Sequence, residues 1–268
     1  MSGPADSSSP SDYLAGLFGM QGTTSVIIGG TGTLGGGFAR TLAAAGSHAI
    51  VCGRGEAAGQ EVVDDIVAAG GTAEMRTLDA TDRRDLQALA EDIANDDRRC
   101  DVLINAAGIN SATPYFEIDD DEWSRILRVN LDAVHLACQT IGREMVREGH
   151  GAIINIASMS AMTPLSRVFT YSVSKAAVLN LTRNLAREWA EAGVRVNALS
   201  PGFFPAEQNR SVLDDDRVSA ILNHTPMNRF GSAEELAGAI LLLASPTAGR
   251  FITGENVVVD GGFSAMTI

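Results

Sequence analysis

The stretch Gly29-Gly30-Thr31-Gly32-Thr33-Leu34-Gly35 decides how the rest of the chain is read. Ahead of it runs TSVIIG, short and apolar like a buried strand. Behind it, from about Leu34 to Ala45, apolar residues recur at helical spacing. Gly30, Gly32 and Gly35 satisfy G-x-G-x-x-G in the strand-then-helix context that gives the motif its meaning. Glycines permit a tight turn and close backbone approach, so that amides at the helix N-terminus can receive a pyrophosphate. Thr31, Thr33 and Leu34 share the turn and are candidate contacts for it. The bland alternative is a glycine-rich turn with no ligand.

Outward from this turn the same alternation continues. HAIVCG is followed by a helical pattern from Ala57 to Ala69, TAEMRTL by one from Arg83 to Ala94, and DVLIN comes next. A helix from about Asp121 to Arg147, the strand GAIINIAS, a helix from about Tyr171 to Ala190, the strand GVRVNALS and finally ENVVVD complete the series. Nearly continuous apolar strands alternating with helices imply an α/β fold: one doubly wound parallel sheet, Rossmann-like, with helices on both faces. Residues 13–268 read as a single domain, and 203–231, between the last two strands, as an insertion over the site. Residues 1–12, rich in Ser, Pro and Asp, read as a disordered lead.

Charge narrows the partner. A formal charge of −13 would be repelled by nucleic acid or an anionic membrane surface, leaving a small molecule as the expected substrate. Cys52, Cys100 and Cys138 form no C-x-x-C pair, and the four histidines show no ligand spacing, so neither a disulfide framework nor a metal is expected. With no signal-peptide pattern and no apolar run of spanning length, a cytoplasmic protein is expected.

Two features speak to chemistry. Where a dinucleotide fold carries an acidic residue for the ribose 2′-hydroxyl, this chain has Cys52-Gly53-Arg54-Gly55. An arginine tolerates a 2′-phosphate, which favours NADP over NAD; the alternative is that Arg54 is a solvated loop residue. Asp79, with Ala80 beside it, either accepts a hydrogen bond from the adenine amino group or caps the next helix. Tyr171 and Lys175 lie four residues apart on a helix, about 400° of rotation, and so share a face. Lys175 is the only lysine in the chain. A free phenol titrates near 10, too high for a base at neutral pH, and a neighbouring ammonium is expected to lower it. Tyr171 would then exchange a proton with a substrate oxygen, and Ser158, at the end of GAIINIAS, could hydrogen-bond the same atom.

From about Gly22 to Ile268 these residues resemble the short-chain dehydrogenase/reductase family. The likeness rests on the glycine turn, Asn105-Ala106-Ala107-Gly108, Asn130 in RVNLD, Ser158 placed 13 before Tyr171, YSVSK, and Pro201-Gly202. The resemblance implies an NAD(P)-dependent oxidoreductase and, in quaternary terms, a homotetramer. It implies that Asn130 holds a water extending a proton relay from Lys175, which also contacts the nicotinamide ribose. Asn105 to Gly108 would shape the adenosine side, and Pro201, Gly202 and Phe203 would flank the nicotinamide. The turn departs from the family's T-G-x-x-x-G-x-G: Ile28 stands for the threonine and Thr33 for the middle glycine, with Gly32 one position earlier.

SPGFFPAEQNR, HTPMNRFGSAEEL and VDGGFSAMTI further resemble the D-mannonate oxidoreductase (fructuronate reductase) branch, near the gluconate 5-dehydrogenases. A sugar acid needs a carboxylate partner, and Arg167 and Arg210 are candidates; either could equally face solvent. Gln208 and Asn209 could bond sugar hydroxyls or cap a helix, Ser160 is a further candidate substrate contact, and Phe204 is a wall or core residue. Competing readings are another polyol or ketone reductase, and a dinucleotide sensor without catalysis. An epimerase or dehydratase is disfavoured because no extra substrate domain is expected after the last strand.

Overall fold

The computed structural model describes residues 9–204 and 214–266. Seven strands form one parallel sheet: β1 (Thr24–Ile28), β2 (His48–Gly53), β3 (Thr72–Thr77), β4 (Val102–Asn105), β5 (Gly151–Ile156), β6 (Val194–Pro201) and β7 (Asn256–Val259). Their order is β3-β2-β1-β4-β5-β6-β7. Alternate strand residues feed opposite faces. Val26, Ile28, Ile50, Leu103 and Val196 pack beneath α4 (Arg83–Asn95), α6 (Ala133–Glu148) and α7 (Phe169–Trp189). Ile27, Val51 and Ile104 pack with α2 (Thr33–Ala44), α3 (Glu56–Ala68) and α9 (Ala237–Ala244). Both faces are therefore covered, as the continuous apolar strands require.

The chain reverses its winding between β1 and β4, which opens a crevice at their carboxyl ends. The glycine turn leaves β1 into that crevice, and Ala106-Ala107-Gly108 leaves β4 beside it. The long helix expected from Asp121 to Arg147 is divided: α5 (Asp120–Leu127) and α6 are joined by a π-helical turn, Arg128–Asp132, that contains Asn130. Asp119 caps α5 by accepting from Glu122 N at 2.6 Å. In the same way Asp214 caps α8 (Asp215–His224), accepting from Arg217 N at 2.7 Å.

One boundary is corrected. Residues 10–12, read as part of a disordered lead, are the first turn of α1 (Pro10–Phe18). Ser9 and Asp12 form a reciprocal capping box with Pro10 at the first helical position, a start signal present in the sequence. Ser245 Oγ donates to Leu17 O at 2.6 Å and ties the helix to the domain. Among the described residues no helix is long and apolar enough to cross a membrane.

Candidate active site

A cavity of about 340 Å³ lies in the crevice, and a second of about 240 Å³ adjoins it. Gly29, Thr31, Gly32, Ala106 and Gly108 line both, so the glycine turn forms the sill between them. Thr33, Leu34 and Gly35 line the larger cavity. Gly32 caps α2 without a side-chain acceptor, which leaves the first amides of a twelve-residue helix facing the cavity, a setting suited to an anion.

Gly29 takes the special conformation in this turn. Its φ is +82°, and a Cβ there would stand 2.5 Å from Ala107 N and 2.7 Å from the Ala106 carbonyl carbon. Gly30, the first glycine of the expected motif, does not reach the cavity. It is buried where a Cβ would crowd Ile27 O and Val51, so it serves the packing of β1 on β2. The operative first glycine is therefore one position earlier than the sequence pattern suggested. The doublet Gly29-Gly30 carried that ambiguity.

Arg54, Asp79, Ala80 and Ala107 line the smaller cavity together. Asp79 does not cap α4; Asp82 does, accepting from Arg84 N at 2.9 Å. Hydrogen bonds from Thr81, N–H at 2.9 Å and hydroxyl at 2.8 Å, hold the Asp79 carboxyl below its ordinary range and keep it ionised. Arg125 and Arg128 line this cavity too and were missed; their only sequence signal is their spacing of three on one helix face. Asn105 lies beneath both cavities, its amide donating to Asn155 Oδ1 at 2.8 Å, so it braces β4 against β5.

Ser158, Tyr171 and Lys175 meet on the wall of the larger cavity, which Arg54 and Asp79 do not line. Tyr171 and Lys175 project from consecutive turns of α7, as their spacing required, and Ser158 follows β5. Lys175 is almost fully buried and donates to Ile156 O at 2.8 Å; burial pulls its amine down to about 8. The expected depression of the Tyr171 phenol by Lys175 is not found. The ammonium nitrogen lies 5.7 Å from the ring centroid, burial pushes the phenol up, and a hydrogen bond from Ser158 opposes that rise. Desolvation sets the direction of the shift here.

Asn130 is fully buried, and its side chain is committed to the protein. Oδ1 accepts from Ile109 N at 2.8 Å, and Nδ2 donates to Ile109 O at 2.9 Å and Ser174 Oγ at 3.0 Å. Ser174, inside YSVSK but missed by the sequence reading, links the π turn to α7 by donating to Tyr171 O at 2.6 Å. Gly108 lies between these groups: a Cβ there would lie 3.5 Å from both Asn130 Oδ1 and Lys175 Nζ.

Pro201, Gly202 and Phe204 line the cavity beside β6. Phe203, expected at the nicotinamide, turns away and packs edge-on against Phe263 at 5.3 Å between centroids. Ser160, expected to touch substrate, is buried behind Ser158 and off the cavity wall. Arg167 is exposed, with φ +67°, and does not line the cavity either. Gln208, Asn209 and Arg210 lie outside the described residues.

A cradle shaped for a dinucleotide, ending against a hydroxyl, a phenol and an amine, suits passage of a hydride at one carbon and a proton at its oxygen. That is the work of an oxidoreductase acting on CH–OH groups. A family model described as enoyl-(acyl carrier protein) reductase matches residues 30–264. The chain is 38% identical to the uncharacterized oxidoreductase UxuB of Bacillus subtilis (strain 168), covering 92% of this chain and 96% of that one. It is 37% identical to galactitol 2-dehydrogenase of Rhizobium johnstonii, covering 92% and 97%. A solved gluconate 5-dehydrogenase from Burkholderia cenocepacia J2315, in complex with NADP and tartrate, superposes with a TM-score of 0.90 at 31% identity, covering 95% and 100%. The chain belongs to the short-chain dehydrogenase/reductase family.

Proposed function

We propose that this protein interconverts a keto sugar acid and its hydroxy acid, of the D-fructuronate and D-mannonate kind, with NADP preferred over NAD. The observation that carries the reading is the meeting of Ser158, Tyr171 and Lys175 at the end of the cavity away from Arg54 and Asp79. The glycine turn and the amides of α2 would hold the pyrophosphate, Asp79 the adenine, and Arg54 a 2′-phosphate. The dinucleotide supplies or accepts the hydride. Ser158 donates a hydrogen bond to the substrate oxygen, and Tyr171 gives or takes the proton at that same atom. A phenol held above its ordinary value stays protonated at neutral pH, which suits donation in the reductive direction. Lys175 orients the ribose, and Asn130 braces Ile109 and Ser174 beside it. Phe204 lines the cavity, and the described parts of 203–231 are joined by Gly231 N donating to Phe203 O at 3.0 Å.

The sugar-acid class draws support from the gluconate 5-dehydrogenase likeness and from the stretches around SPGFFPAEQNR. A second reading, a neutral polyol, is favoured by one observation: among the described residues lining the larger cavity, Lys175 is the only cation. The test follows nicotinamide absorbance with NADPH and NADH against D-fructuronate, D-tagaturonate and 5-ketogluconate, with galactitol in the oxidative direction. Turnover of a keto sugar acid that vanishes in Tyr171→Phe, with dinucleotide binding retained, supports the first reading. Turnover of galactitol alone supports the second, and binding without turnover would leave a dinucleotide sensor. We further propose a cytoplasmic homotetramer packed through α5, α6 and α7; light scattering on the purified chain tests the assembly.

A further inference from the structure

Ser160 lies behind Ser158, where it contacts that residue and not the cavity. Its backbone N–H donates to Ser158 Oγ at 3.2 Å, and its hydroxyl donates to the same oxygen at 3.1 Å. A serine hydroxyl carries one proton and two acceptor sites. Ser160 fills both acceptor sites of Ser158, so the one remaining act of the Ser158 hydroxyl is to donate its own proton. Ser158 and Tyr171 line the same cavity, and Ser158 acts to lower the phenol, as a hydroxyl that donates to its charged form does.

We propose that Ser160 is a positioning residue that locks Ser158 as a hydrogen-bond donor, to the Tyr171 phenol in the free enzyme and to the substrate oxygen once substrate is bound. This rests on the reading that Ser158 and Tyr171 meet at that oxygen. Ser160 transfers no proton itself. Reduction turns a carbonyl oxygen into an alkoxide, so a donor fixed in advance stabilises the transition state more than the bound ketone. The effect therefore belongs in kcat and not in KM. An unlocked Ser158 could turn its proton elsewhere and accept a bond, which would withdraw help where negative charge develops.

Ser160→Ala keeps the backbone donor and removes the hydroxyl. We expect kcat to fall about three- to tenfold, the effect of one net hydrogen bond, with KM and dinucleotide affinity within about twofold. The limb of the pH profile that reports Tyr171 should move to higher pH, because the bond from Ser158 that lowers the phenol is weakened. Ser160→Thr, which restores a hydroxyl, should recover both, and thermal unfolding of each variant separates these effects from a folding defect. The deciding measurement is a double-mutant cycle with Ser158→Ala. In that background Ser160→Ala should cost nothing more. An equal loss with and without Ser158, or a single variant with unchanged kcat and pH profile, overturns the assignment. Full turnover by Ser158→Ala alone would instead remove the reading of Ser158 on which it stands.

Discussion

Replacing Gly29 by alanine tests whether the glycine turn must lie against the segment after β4 for a dinucleotide to bind. With φ at +82°, Gly29 occupies the left-handed region, and a side chain there costs about 1–2 kcal/mol from local strain alone. The new Cβ would also lie 2.5 Å from Ala107 N and 2.8 Å from Ala107 Cα. These are backbone atoms and cannot rotate aside. Ordinary contact is about 3.5 Å, so the turn and the Ala106-Ala107 segment would have to part by roughly 1 Å. Gly22 supplies the control: its φ is +76°, and nothing lies within 4 Å of the position of a Cβ. Gly22→Ala should therefore pay the strain alone, about 1–2 kcal/mol in urea unfolding, with dinucleotide affinity unchanged. Gly29→Ala should lose about 3–5 kcal/mol and bind NADPH at least about tenfold more weakly by fluorescence titration. If the two variants match in both stability and affinity, the argument from close approach is wrong.

Other measurements bear on the same site. Arg54→Ser should weaken NADPH binding about tenfold and leave NADH within about twofold, as expected for one charge-assisted hydrogen bond; an unchanged ratio makes Arg54 a solvated loop residue. Lys175 titrates at about 8 when folded and about 10.4 when unfolded. Between those values the unfolded state binds the extra proton, so this residue makes stability rise with pH across that window. Subtracting the pH dependence of Lys175→Met unfolding from that of the wild type should reveal an upward slope, and a flat difference would show that burial does not depress the amine. Cys52 and Cys138 are buried, with thiols pushed up to about 12, so a thiol reagent should leave both untouched in the native protein and react with all three cysteines in urea. Rapid native labelling of either would contradict their burial.

The strands and helices of the sheet could be read from local pattern, because a buried strand and an amphipathic helix each impose their period on neighbouring residues. Tyr171 and Lys175 could be placed on one face for the same reason. Phe203 is expected at the nicotinamide, yet it is Phe204 that lines the larger cavity. They sit on successive residues after β6, where adjacent side chains diverge, and it is distant Phe263 that turns Phe203 away. Ser160, a candidate substrate contact in the sequence, is placed behind Ser158 by the turn after β5. The start of α1 was legible in Ser9-Pro10-Ser11-Asp12 and was outweighed by composition.

By itself the sequence determined the alternation of strand and helix, the dinucleotide turn, and the company of Ser158, Tyr171 and Lys175, all of which depend on residue types at short or fixed spacing. Tertiary structure alone decided which glycine bends, which arginines line the smaller cavity, and how the Tyr171 phenol responds to its surroundings. Those properties depend on desolvation and on contacts between segments far apart in the chain. A phenol beside an ammonium is lowered in water, whereas the same pair inside a packed wall is governed by the loss of water, and only the fold sets how much water is lost.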